Sequence, residues 1–398
     1  MDKYQILKQY FGYDSFRDGQ ELLIDGILQG RDVLGIMPTG AGKSLCYQVP
    51  ALMLPGITLV ISPLISLMKD QVGALNSVGI HAAFLNSSLT YGQYRKALEY
   101  AKAGRYPIIY VAPERLVTEE FLDFARNTKI SMVAIDEAHC VSQWGQDFRP
   151  SYLKIVEFIE RMEVRPVVSA FTATATKEVR DDISDILMLR EPTVLTTGFD
   201  RKNLYFGVET VRDRYRAIVD YLQNHREDSG IIYCLSRDNT EKVAQELVQY
   251  GIMASPYHAG LSAQLREDVQ NRFLNDEIRV VCATIAFGMG IDKSNVRWVI
   301  HYNMPKSMEC YYQEIGRAGR DGLSADTLLF YSLGDVVMLS RFAEDSGQST
   351  VNREKLRRMQ QYCESPVCRR RILLSYFGEA YEHDCGNCDV CKHPPVRF

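Results

Sequence analysis

The apolar run Val33–Met37 breaks directly into Pro38-Thr39-Gly40-Ala41-Gly42-Lys43-Ser44, and few folds accommodate that junction. A buried strand, a glycine loop and a helix opening at Lys43 demand a parallel neighbour strand, reached through a crossover. Further runs of the same kind follow at Thr58–Ser62, Ile108–Ala112, Met132–Ile135 and Val167–Phe171. Amphipathic stretches such as Leu64–Ser77 and Gly92–Ala103 lie between them and read as helices. The alternation lapses at Thr196–Asn203, read as a hinge. It resumes with Gly230–Cys234, Ala254–Tyr257, Val280–Ala283, Trp298–Tyr302 and Leu328–Tyr331. The expected fold class is α/β: two doubly wound parallel-sheet domains in tandem. From about Gly334 the strands stop, and a basic helical segment (Asn352–Tyr362) leads into a cysteine-rich tail.

Glycines at 40 and 42 let backbone N–H groups close around phosphates, and the helix start adds positive potential. Lys43 would reach the terminal phosphates of a nucleotide, and Ser44 would hold Mg²⁺. A second strand, Met132–Ile135, ends in Asp136 and Glu137. Asp136 would hold the same Mg²⁺ through water, and Glu137 would orient or deprotonate an attacking water. Within a dozen residues come Trp144, Phe148 and Arg149 in polar company, a pattern suited to stacking on bases; plain core aromatics are the alternative. The second half carries Gln313-Glu314-Ile315-Gly316-Arg317-Ala318-Gly319-Arg320. Arginines at i and i+3 share a helix face and could reach a γ-phosphate, or could form a solvated basic face.

Ten cysteines include five within the last 36 residues, a crowding that points to metal rather than disulfides. Cys385, Cys388 and Cys391 can converge on one ion, and tetrahedral zinc needs a fourth ligand. Cys363, Cys368, His383 and His393 are the candidates. Arg369–Arg371 and Arg357–Arg358 could lie along DNA or form a solvated face. A net charge of −4 leaves room for a local basic groove but no broadly basic surface. There is no spanning segment and no signal peptide, so a cytoplasmic protein, nucleoid-associated by function, is expected.

Taken in order, these motifs resemble the RecQ family of superfamily 2 DNA helicases. FGYDSFRDGQ (Phe11–Gln20) resembles its adenine-reading segment, and PTGAGKS its phosphate loop, with Met37 where a general phosphate loop has glycine. SPLISLMKDQ, APERL, DEAHCVSQWGQDFRP, FTATAT, YHAGL, ATIAFGMGIDK, YYQEIGRAGRDG and CRRRILLSYFGE with CGNCDVC complete the set. The resemblance implies two RecA-like domains closing on ATP, over residues 1–198 and 199–333. A zinc module over 334–398 then uses Cys368 as fourth ligand. It implies Tyr13 stacking on adenine with Arg17 and Gln20 reading its edge, and Thr39, Gly40, Gly42, Lys43 and Ser44 on the phosphates. Gln313, Arg317 and Arg320 act on the nucleotide from the second domain, while Trp144, Phe148 and Arg149 couple DNA to hydrolysis. On their own reading, His139 bridges motifs near the nucleotide or is a satisfied structural histidine, and Thr172 and Thr174 relay toward the second domain or cap the strand–helix junction. His258, Thr284, Gly288 and Asp292 match second-domain motifs for DNA phosphate and ribose.

The implied activity is Mg-ATP-dependent 3′-to-5′ helicase or translocase action by a monomer on single-stranded, tailed or forked DNA, in repair and recombination. An ATP-switched binding or annealing module and an RNA helicase are the alternatives. Two departures stand out. Gln146 replaces the family's usual histidine and cannot take a charge near neutral pH. The chain also stops where family members continue into winged-helix and HRDC-type domains, so translocation is expected more readily than processive unwinding.

Overall fold

The computed structural model describes residues 1–284, 287, 293–344 and 348–394. The chain forms two compact units, Met1–Gly198 and Phe199 onward. Seven strands build the first: β1 (Val33–Ile36), β2 (Ile57–Ile61), β3 (Ala82–Leu85), β4 (Ile108–Val111), β5 (Ile130–Ile135), β6 (Val167–Thr172) and β7 (Thr193–Thr196). They pair in the order β3-β4-β2-β5-β6-β1-β7, every pairing parallel. β1, β2 and β4 are buried along their whole length, which is why they read as unbroken apolar runs. Helices Ile65–Ser77 and Tyr91–Lys102 stand where amphipathic spacing predicts them. The second begins at a reciprocal cap between Thr90 and Gln93.

The second unit holds β8 (Leu204–Glu209), β9 (Ser229–Tyr233), β10 (Ala254–Tyr257), β11 (Val280–Ala283), β12 (Val296–His301) and β13 (Ala325–Phe330). Their order is β10-β11-β9-β12-β13-β8, again all parallel. The expected doubly wound architecture is therefore present twice. Strands β3, β7 and β8 were not expected. Each lies at the end of its sheet; β7 alternates half-buried and exposed residues and so shows no continuous apolar run, whereas β3 is a run of only four apolar residues. β8 further carries Gly207, where a Cβ would come within 2.9 Å of Leu328.

After Phe330 no regular strand occurs among the described residues. Helices Leu333–Glu344, Ser349–Glu364 and Arg369–Tyr376 lead to the cysteine tail. That tail is tied to the second sheet, since Cys388 bridges to Phe206 in parallel fashion beside the open edge of β8. The stretch read as a hinge contains the boundary between the two units, but its second half is held firmly, as described below.

Candidate functional site

In the first unit, β1 and β5 both pair with β6, in registers that set Ile36 against Thr172 and Ile135 against Ala170. The phosphate loop, the acidic pair and the FTATAT segment therefore share one carboxyl edge, the place where doubly wound sheets bind ligands. Gly40 and Gly42 adopt φ of +85° and +80°, conformations only glycine takes without strain. A Cβ on Gly42 would also come within 2.3 Å of Gln20 Nε2. Lys43 opens the helix Lys43–Ala51 and donates to the Met37 carbonyl at 3.1 Å. Ser44 follows it in the first turn, half-buried like Thr39.

The Phe11–Gln20 segment lies against this loop. Gln20 is buried and accepts from the Arg17 N–H at 2.9 Å, while its amide donates to the Ala41 and Gly42 carbonyls at 3.1 Å each. The Arg17 guanidinium donates to the Gly40 carbonyl. Both side chains thus shape the phosphate loop itself, a link that motif spacing does not disclose. The Tyr13 ring is exposed.

Asp136 follows β5 directly. Its N–H donates to the Ile61 carbonyl at 2.9 Å, its carbonyl accepts from Tyr152 Oη at 3.0 Å, and its Oδ1 accepts the Glu137 N–H at 3.0 Å. Burial, and then the Glu137 charge, push its carboxyl up to about 7, although the Lys43 ammonium pulls the other way. Glu137 sits in the left-handed region, at φ of +49°, unusual for a side chain with a Cβ. His139 Nδ1 lies 2.8 Å from Thr172 Oγ1 and 3.4 Å from Glu137 Oε2. Thr172 in turn donates to the Thr174 carbonyl at 3.1 Å. His139 thus links the acidic pair to FTATAT through buried contacts.

The aromatic loop follows at once. Trp144 is 49% exposed, and Phe148 and Gln146 are half-buried. Its turn closes on Ser142, which accepts the Trp144 N–H at 3.1 Å and donates to Asp182 at 2.6 Å. Arg149 forks onto Asp147 at 2.9 and 2.8 Å and donates to the Pro63 carbonyl at 3.0 Å, so here its guanidinium braces the loop's base. Trp144 is the aromatic best presented to solvent.

In the second unit, helix Met308–Ile315 carries Gln313, and then it stops. Arg317 and Arg320 lie in the turns after Gly316, so the expected shared helix face is corrected: glycines at 316 and 319 end the helix, the latter at φ of +57°. Arg317 is buried and Arg320 half-buried. Beneath them, His301 Nε2 meets Glu314 at 2.7 Å, and the His301 ring stacks on Tyr233. Burial pushes the Tyr233 hydroxyl up to about 12, with Arg317 opposing. His258 pairs with Glu241 at 2.9 Å, and the Thr284 N–H donates to the Tyr257 carbonyl at 3.2 Å. Gly288 and Asp292 lie outside the described residues.

Of the four candidates for the fourth thiolate position, Cys368 is the one that joins. Its Sγ and those of Cys385, Cys388 and Cys391 all lie within 4.8 Å of one another. Cys385 and Cys391 are 3.9 Å apart, close to the separation of about 3.8 Å that tetrahedral Zn–S bonds of about 2.3 Å impose. Backbone N–H groups of Cys385, Asn387 and Cys391 aim at the sulfurs of Cys368, Cys385 and Cys388, as a thiolate cluster requires. The donor set suits zinc. Within the basic run beside it, Arg369 and Arg370 turn inward, while Arg357, Arg358 and Arg371 stay exposed. Arg369 is buried on Asp389 and Arg370 on Asp200, while Arg357 and Arg358 both pair with Glu354.

Three family models match in succession. They are DEAD/DEAH box helicase over 17–182, helicase conserved C-terminal domain over 213–322, and RecQ zinc-binding over 333–392. The Bacillus subtilis ATP-dependent DNA helicase RecQ is 46% identical over 97% of the chain. A putative ATP-dependent RNA helicase of Acanthamoeba polyphaga mimivirus is 42% identical over 97% of the chain and 71% of its own length. The chain belongs to the RecQ helicase family. It spans 66%, 62% and 64% of the RecQ relatives from Bacillus subtilis, Pasteurella multocida and Haemophilus influenzae, under two thirds of each. A solved structure of Mss116p bound to ssRNA and AMP-PNP superposes with a TM-score of 0.72 at 15% identity, over 95% of this chain and 88% of that one. That likeness concerns the fold: two RecA-like sheets, to which this RecQ chain adds its cysteine module. No helix among the described residues is long and apolar enough to cross a membrane.

Proposed function

We propose that this RecQ chain hydrolyses Mg-ATP to move 3′ to 5′ along single-stranded DNA and to part tailed or forked duplexes, as a cytoplasmic monomer serving repair and recombination. Its domains are 1–198, 199–333 and a zinc module from 334. The observation that carries the reading is the short path from Glu137 through His139 to Ser142 and Trp144. One continuous segment joins the carboxylate beside the phosphate loop to an exposed indole.

In this reading Tyr13 stacks on adenine, and the backbone of Thr39–Ser44 with Lys43 cradles the phosphates. Ser44 and Asp136 hold Mg²⁺, which when bound offsets phosphate charge. Glu137 orients and deprotonates the attacking water. Gln313, Arg317 and Arg320 stabilise charge developing on the γ-phosphoryl group, a contribution worth about 10³–10⁵ in rate for one well-placed arginine. Trp144 and Phe148 meet bases, and Arg149 keeps their loop in register. Cys368, Cys385, Cys388 and Cys391 hold a structural zinc.

A polarity-defined unwinding assay on 3′- and 5′-tailed duplexes tests the proposal, with separation expected only from the 3′ tail. The mimiviral relative's name supports a second reading, an RNA substrate. ATPase stimulation by DNA and RNA oligonucleotides of matched sequence separates the two, and DNA is expected to stimulate more.

A further inference from the structure

The turn carrying Arg317 and Arg320 is tied to the helix before it through its N–H groups, Arg317 donating to the Glu314 carbonyl at 3.3 Å and Ala318 to that of Ile315 at 3.0 Å, while its own carbonyls face away from that helix's donors. Residues 316–319 are buried, so their carbonyls need partners. Arg201 supplies three of them, donating to Gly316 O at 3.2 Å, Ala318 O at 2.7 Å and Gly319 O at 2.9 Å. Asn203 donates to Gly319 O at 2.9 Å and Leu323 O at 2.8 Å. One planar guanidinium and one amide thus span the whole turn from a segment more than a hundred residues earlier.

That segment is gripped from its other side by the cysteine module. Arg370, 2% exposed and two residues past Cys368, donates to the Asp200 carboxylate, to Arg201 O at 2.8 Å and to Leu204 O at 2.7 Å. Asn387, between Cys385 and Cys388, donates its side-chain amide to the same Leu204 carbonyl at 3.1 Å. Its own carbonyl accepts the Phe206 N–H at 3.4 Å. The Arg370 guanidinium also lies over the Phe206 ring, 4.9 Å from its centre.

We propose that the cysteine module positions the arginine turn. Arg370 and Asn387, each set among the metal-binding cysteines, hold Asp200–Leu204, and that segment, through Arg201 and Asn203, holds the backbone that carries Arg317 and Arg320. Arg201 and Arg370 are then positioning residues for ATP hydrolysis, although neither belongs to the arginine motif. The inference rests on the reading of Arg317 and Arg320 as γ-phosphate arginines. Misplacing such a group by about 1 Å can cost about 10²-fold in rate.

The test uses the whole chain with Arg201→Ala, Arg370→Lys, Arg320→Ala and the double variant Arg201→Ala/Arg320→Ala. Arg370→Lys keeps the charge opposite Asp200 but cannot reproduce the fork, which guards against simple unfolding. Arg201→Ala is expected to lower kcat about 10²-fold with KM for ATP essentially unchanged. Because Arg317 shares the turn, the double variant is expected to lose less than the product of the two single losses. Amide hydrogens of residues 316–323 are expected to exchange faster in both Arg201→Ala and Arg370→Lys, with bound zinc retained. Multiplying rate losses, or unchanged exchange in that turn, would overturn the proposal. If Arg320→Ala alone keeps the full rate, the γ-phosphate reading is the part that fails, and exchange still decides whether the brace exists.

Discussion

The Ser142 hydroxyl donates to Asp182 at 2.6 Å, and through that bond the aromatic loop is fastened to the helix that follows FTATAT. The same oxygen accepts the Trp144 N–H, so one buried hydroxyl sets both the loop's anchor and the start of its exposed turn.

Ser142→Ala removes both contacts and leaves the Asp182 oxygen to water. A loss of about 1–2 kcal/mol in stability is expected by urea denaturation. The ratio of ATPase rates with and without single-stranded DNA should fall as Trp144 loses its fixed presentation. A ratio equal to wild type would show that the anchor does not serve coupling.

Gly145 has no room for a side chain, because a Cβ there would lie 2.1 Å from the His139 carbonyl oxygen. Gly145→Ala must shift backbone on one side or the other, at about 1–3 kcal/mol. Its thermal midpoint should drop, with loss of DNA stimulation exceeding the loss of ATP binding.

Lys43→Ala and Glu137→Gln are expected to abolish ATP hydrolysis while single-stranded DNA binding survives, as measured by fluorescence anisotropy. Gln146→His restores a titratable ring within the aromatic loop. Its DNA-stimulated ATPase should gain a further pH dependence near the ordinary histidine range, about 6.5, beyond that of the wild type. Superimposable pH profiles would remove any special role for position 146.

Asp136 sets a pH dependence whose sign is fixed by burial. Burial, and then the Glu137 charge, push its carboxyl up to about 7, above the ordinary carboxylate range. Folding therefore favours the protonated form, and in the absence of a cation stability is lost as pH rises toward about 7. A divalent cation requires the ionised form, so Mg²⁺ should raise the thermal midpoint more at pH 8 than at pH 6. In Asp136→Asn that pH difference should vanish.

Removing the metal with a strong chelator, or substituting Cys388→Ser, should lower the thermal midpoint and release one zinc per chain, measured by a colorimetric dye. Cys388 is fully buried and bridges to Phe206 at the edge of the second sheet, so losing the cluster exposes that edge.

Much of this protein was legible in order along the chain. Central strands buried on both faces, such as β1 and β5, announce themselves as apolar runs, because every residue must be apolar to be covered twice. Glycines 40 and 42, the acidic pair and the spaced cysteines are local chemistry, and local spacing reveals them. The edge strands β7 and β8 were not legible, since their partly exposed residues break the apolar pattern, and β3 is an apolar run of only four residues.

What only the tertiary structure decided is which polar residues work in the interior. Arg201 and Asn203 read as hinge, and Arg369 and Arg370 as a surface run, because composition cannot tell a solvated guanidinium from one that holds buried carbonyls. That distinction depends on partners more than a hundred residues away, Gly316 to Leu323 for Arg201 and Asn203, and Asp200 to Leu204 for Arg370. A buried carbonyl must find a donor, and the fold, not the neighbouring residues in sequence, determines which donor reaches it.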